Sequence, residues 1–147
     1  MTVAAFENSA HGHHNEADIV EALRADGALA VSLVAAADGG IVGHAAWSPV
    51  RITVCEGDWY GLGPLAVAPA WQGRGVGQAL VREGLKQLEG LGAAGCVVVG
   101  DPAYYGRFGF LNDPDLRYGE ASPYLQRLVL QGRPPSGAVR YPAAFDA

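Results

Sequence analysis

The chain has 147 residues, the length of one average domain, and a chain of this size buries roughly 70% of its unfolded surface on folding; one domain over 1–147 is expected. Half of the residues are hydrophobic and 17% are charged, which excludes a disordered or solvating chain. Ten Lys plus Arg against fifteen Asp plus Glu give a formal charge of −5, and with no basic run for duplex phosphates and no apolar run near the ~20 residues of a bilayer span, nucleic acid and membrane drop out as expected partners.

In chain order, the cluster His11-Gly12-His13-His14 has neither a partnering cysteine nor helical histidine spacing, so it reads as a solvated linker and no metal is expected. Asn15 and Asp18 start a short amphipathic helix carrying Ile19, Ala22 and Leu23, which ends at Asp26-Gly27. Two strands at 28–37 and 41–54 flank Asp38-Gly39-Gly40, where glycine accepts positive φ at no steric cost, so an antiparallel hairpin follows. A strand at 59–67 contains Pro64, which cannot donate to a ladder and marks a bulge or an unpaired edge.

From Val76, the residues Leu80, Val81, Leu85, Leu88 and Leu91 keep the 3.6-residue period while charged residues fill the other face, giving the strongest helix of the chain. A Val-rich strand at 95–100, a helical turn at 102–108, a strand at 124–130 and a short strand at 138–141 complete the series. Cys55 and Cys96 sit among apolar residues without metal or redox spacing, and both read as buried, inert thiols of a cytoplasmic protein. Trp47, Trp59 and Trp71 lie on different elements and read as core or pocket wall.

The most informative segment is 65–77, LAVAPAWQGRGVG, which runs from strand through loop into the strong helix. Gly73, Gly75 and Gly77 leave the backbone uncovered, and first-turn N–H groups have no internal partner, so main-chain donors can hold a phosphate or pyrophosphate beside Arg74. A dinucleotide loop would need Gly where Gln78 stands, and the triphosphate pattern G-x-x-x-x-G-K-[ST] is absent.

What fits is Q-x-x-G-x-G after a strand ending in V-x-P, which resembles the acyl-coenzyme A (acyl-CoA) loop of the GNAT acetyltransferase superfamily. Downstream, 100–110, GDPAYYGRFGF, looks like that superfamily's Y-x-x-x-G-F element. Together with 140–145, RYPAAF, the wording is similar to the YhbS-like branch, and the resemblance covers about residue 15 to the C-terminus. It implies an α/β (α+β) fold of the GNAT acyl-CoA type: a mixed, mostly antiparallel central sheet, splayed between the strands at 60–67 and 95–99 and flanked by helices.

The resemblance also implies acetyl-CoA as co-substrate and an amine-bearing small molecule or protein as acceptor. The pantetheine arm would lie in the splay against Leu65, Ala66 and Val67, with Gln72, Gly73, Arg74, Gly75, Val76 and Gly77 around the pyrophosphate. An alkyl ammonium has a pKa near ~10.4 and a thiol near ~8.5, so amide formation needs a group that removes a proton and one that supplies a proton to sulfur. Tyr105 stands where the family places its general acid, with Tyr104 as a packing or substrate contact that also joins the cofactor-binding set, and Val67 or Leu65 would supply the N–H for the oxyanion. No carboxylate lies on 61–64, so Asp101, His44, Glu56 and Asp58 are candidate bases, directly or through water. Asp101 equally suits the N-cap of the turn it precedes, and His44 a hydrogen-bonded core imidazole.

Relatives place a full strand and helix before the helix at residue 15, and only fourteen residues precede it here. A shortened N-terminus is therefore expected, leaving 28–37 as an open sheet edge through which two copies could form a homodimer. Two other readings compete: a noncatalytic acyl-CoA binding or sensing module, and an interaction domain whose loop binds nothing.

Overall fold

The computed structural model describes residues 2–5, 30–119 and 123–142. The helix expected from residue 15 and the His11–His14 cluster lie outside the described residues. Among the described residues, nine strands form one mixed sheet: β1 (Thr2–Ala5), β2 (Val31–Ala37), β3 (Gly40–Val54), β4 (Trp59–Val67), β5 (Gly95–Val99), β6 (Leu111–Asn112), β7 (Leu116–Arg117), β8 (Leu125–Val129) and β9 (Ser136–Arg140). The main order is β1-β2-β3-β4-β5-β8-β6, while β9 joins the far half of β3 and carries β7. The pairs β4–β5 and β7–β9 are parallel, and the other pairs among the described residues are antiparallel.

The β2–β3 hairpin closes on Asp38 (φ 51°) and Gly39 (φ 79°), two consecutive left-handed residues of the kind a two-residue type I′ loop requires. Helix α1 (Val76–Gly90) buries Val76, Leu80, Val81, Gly84 and Leu88 against the face of β2–β4 that carries Leu33, Ala45 and Trp47. It ends in a Schellman turn, with Ala93 N–H donating to Leu88 O and Gly92 N–H to Glu89 O, both at 3.0 Å. Leu91 falls just past that end and is exposed, a correction to its place in the helical stripe. The other face of the sheet has its own core, built on Val50, Ile52, Trp59, Val97, Leu125 and Val139.

The expected open edge at 28–37 is corrected. Thr2–Ala5 pairs antiparallel with β2, Thr2 opposite Ala36 and Ala5 opposite Leu33, so the amides that would have recruited a second copy are engaged. Four residues without a flanking turn signal are too short a run for alternation to show. Cys55 is also corrected: it lies just beyond β3 and is exposed, whereas Cys96 is buried as expected. Among the described residues no helix is long and apolar enough to cross a membrane.

Candidate functional site

The site is built where β4 and β5 part. They pair from Trp59 opposite Gly95 to Leu62 opposite Val98, and beyond that point β4 continues to Val67 bonded to β3 alone. The divergence coincides with Gly63-Pro64, a cis peptide. Against β3 the register jumps there from Leu62–Trp47 to Leu65–Ala45, placing two residues of β4 opposite Ala46 alone: the bulge that Pro64 signalled.

Strand alternation fixes which groups face the gap. Ala68 N–H donates to Val42 O (2.8 Å), so Ala68 and Ala66 turn their main-chain groups toward β3, and those of Leu65 and Val67 point into the gap. The Gln72 amide donates to Val67 O (3.1 Å), tying the loop to the end of the strand. Ala66 shares with His44 the sheet face opposite α1, and its backbone bonds to β3, so it offers the gap no main-chain donor.

After a single 3-10 turn, Pro69–Trp71, the loop takes φ 75° at Gly73 and 84° at Gly75, a conformation that strains any residue with a Cβ. Gly75 is the N-cap of α1, makes no side-chain cap, and no acidic residue occupies the first turn. A Cβ at Gly73 or Gly75 would meet nothing within 4 Å. The N–H groups from Val76 onward therefore stand open at the positive end of the helix dipole, an arrangement suited to an anion. The Arg74 guanidinium stacks 4.3 Å from the Trp71 ring centre beside it.

The opposite bank is the short helix α2 (Pro102–Tyr105) and the 3-10 turn that follows it. Tyr104 reaches across to α1: its hydroxyl lies 2.5 Å from where a Gly77 Cβ would be, near the Val67 side chain. Arg107 stacks on its ring at 4.7 Å. Tyr105 turns inward, its ring 2.5 Å from the Cβ position of Gly100 and edge-on to Phe110, centroids 5.8 Å apart. Burial, with Tyr104 and Cys96 adding smaller effects, pushes its phenol up to about 12. Burial likewise raises Cys96 to about 12, so at neutral pH this thiol is protonated and not a nucleophile.

The base candidates separate. Asp101 caps α2, its Oδ1 accepting from Ala103 N–H (2.9 Å), at the exit of β5. His44 sits on β3, one strand from the gap. Asp58 and Glu56 precede β4 at its closed end, seven or more residues from Leu65, a span of about 23 Å along a strand, and the fold does not bring them to the gap. Gln126 escaped the sequence reading. It is 1% exposed, and its amide donates to Gly100 O (3.0 Å) and Tyr124 O (3.1 Å), fixing the β5 exit on which Tyr105 rests. A lone amide in an apolar strand was its only signal. Among the described residues no group of three or more His, Cys, Asp or Glu could hold a metal ion.

A family model described as "Acetyltransferase (GNAT) domain" matches residues 29–111. The Escherichia coli K12 protein called uncharacterised N-acetyltransferase YhbS is 46% identical over 96 residues, 65% of this chain and 58% of that one. YjhQ of the same strain, named likewise, is 39% identical over 71% of this chain and 60% of its own. The chain thus matches about three fifths of the length of these curated relatives. A GNAT acetyltransferase from Brucella melitensis, solved with acetyl-CoA, is 43% identical, with 99% of this chain and 97% of that chain covered and a TM-score of 0.82. The E. coli YhbS structure, solved with CoA, is 38% identical over 90% of this chain and 78% of its own, at a TM-score of 0.83.

Proposed function

Since the chain belongs to the GNAT acetyltransferase family, we propose that it transfers an acetyl group from acetyl-CoA to a primary amine, carried by a small molecule or a protein, by direct attack. One observation carries this reading: the main chain of Leu65 and Val67 faces a gap that leads straight to the uncapped N-terminus of α1 behind Gly73 and Gly75. A pantetheine arm can add to β4 as a strand would, while the pyrophosphate takes the open amides from Gly73 to Gly77, with Gln72 and Arg74 beside them. The two solved relatives that hold CoA or its acetyl thioester support the choice of ligand.

The acceptor nitrogen attacks the thioester carbon, a C–N bond forms, the C–S bond breaks, and CoA leaves as a thiolate that must gain a proton. Leu65 or Val67 N–H would hold the oxyanion without reorganising. Tyr105 supplies the proton: with its phenol raised to about 12, the donor is intact throughout the neutral range. Asp101 and His44 remain to take the amine proton, each through water. Protonated Cys96 gives no covalent relay, and exposed Cys55 stands beyond β3; two free thiols suit a cytoplasmic setting. The edge that suggested homodimerisation is occupied by β1.

Calorimetric titration of CoA, followed by thiol release from acetyl-CoA with a panel of amines, tests the reading. Tight binding without release from any amine would favour a noncatalytic acyl-CoA module, and no binding at all would remove both.

A further inference from the structure

An acyl group delivered along β4 from the Val67 end points toward the place where β4 and β5 rejoin, at Leu62 and Val98. What fills the space around that point sets how long the group can be. On the α1 face it is occupied by Trp47 and Cys96, both wholly buried, and by Tyr105. On the other face residue 61 is glycine, and the Tyr141 ring takes the place a side chain there would need. Its Cζ lies 2.7 Å from the Gly61 Cβ position and Val50 Cγ1 lies 2.8 Å from it. Ser48, opposite Gly61 on β3, is fully buried, and the Tyr118 ring backs Tyr141 with centroids 5.1 Å apart.

Trp47, Cys96 and Ser48 are locked into strands at the centre of the sheet. Tyr141 follows the end of β9 and is half-buried, so on the face opposite α1 it can be cut back without rebuilding the sheet. The hollow it fills exists because residue 61 has no side chain, which makes the two positions a matched pair. We propose that Tyr141, seated on Gly61, limits the acyl group this site accepts to acetyl or propionyl. The inference rests on the acyl-CoA reading above and specifies the substrate class of that site. Its physical basis is that space packed to native density resists each added methylene.

Calorimetry on the full chain with CoA and its acetyl, propionyl, butyryl and hexanoyl thioesters tests it. CoA, acetyl-CoA and propionyl-CoA should bind within about threefold of one another, with butyryl-CoA and hexanoyl-CoA about tenfold or more weaker. Tyr141→Ala should bring hexanoyl-CoA to within about threefold of acetyl-CoA. Tyr141→Leu should do so partly and serves if the alanine variant fails to fold, while Tyr141→Phe, which keeps the ring, should keep the cut-off. Hexanoyl-CoA binding to the unaltered protein as tightly as acetyl-CoA overturns the proposal, as does a cut-off that neither truncation moves. Failure of bare CoA to bind contradicts the acyl-CoA reading itself and removes this inference with it, so the two failures are distinguishable.

Discussion

The two halves of β4 belong to one strand and differ in what borders them. Trp59–Leu62 is bonded to β3 on one side and β5 on the other, and three of its four residues are buried. Gly63–Val67 keeps β3 but loses β5, and all five residues are half-buried. The first half is held between two neighbouring strands, the second by β3 on one side and by the Gln72 amide that donates to Val67 O. A strand can thus change from paired on both sides to open on one within two residues where a bulge interrupts it, without any change in side-chain polarity.

The largest effect should come from the groups around the gap beside the open half. Tyr105→Phe is expected to lower kcat about 100-fold or more while CoA affinity stays within about twofold; equal turnover would remove Tyr105 from the chemistry. Asp101→Asn keeps an N-cap, since Asn and Asp cap comparably, so the melting temperature should hold while kcat falls about tenfold if the carboxylate takes the amine proton. An unchanged rate would move that role to His44. Gly75→Val forces a branched residue to φ 84° at the anion-facing turn, and CoA affinity should weaken about tenfold.

The core behind the closed half, where Trp47 stands opposite Leu62, should answer to packing alone. In Gly84→Ala the new methyl meets the fully buried Trp47 indole, and overpacking of ~1–3 kcal/mol or more outweighs the ~1 kcal/mol that alanine gains in helix propensity. Thermal unfolding should drop by several degrees, at about 2–4 °C per kcal/mol, while CoA binding to the variant, measured where it is folded, stays the same. A changed affinity would mean the two halves are coupled. The smallest effect concerns pH. Tyr105 and Tyr141 are both raised by burial above the ordinary tyrosine value of 10.0, so their contribution to stability is complete below pH 10 and is lost as pH climbs through about 12, the Tyr105 value. Alkaline unfolding monitored by tyrosinate absorbance should begin in that window; normal ionisation at pH 10 in the folded protein would contradict the burial.

Much of this architecture was legible in the residues. The hairpin at Asp38-Gly39, the period of α1 and the punctuation at Pro64 and 73–77 are local signals with local causes. The phosphate-type loop could be separated from two commoner loops by spacing alone, and Asp101 as a cap could be read from the Pro that follows it. Thr2–Ala5 could not, because four residues carry too little alternation and their partner is thirty residues away. Nor could the Tyr141 seat on Gly61 or the Gln126 clamp on Gly100, since each depends on a contact between distant parts of the chain. Glu56 and Asp58 looked near the site by sequence, yet a strand laid out in one direction carries them to its far end.

The central claim is that the unpaired side of β4 is where the acyl-CoA arm lies, and amide hydrogen exchange resolved by residue tests it most directly. With saturating CoA, exchange at Leu65 and Val67 should slow about tenfold or more, while Gly61 and Leu62, already paired with β5, stay as they were. Bound CoA that leaves Leu65 and Val67 exchanging at their free rates would contradict the account.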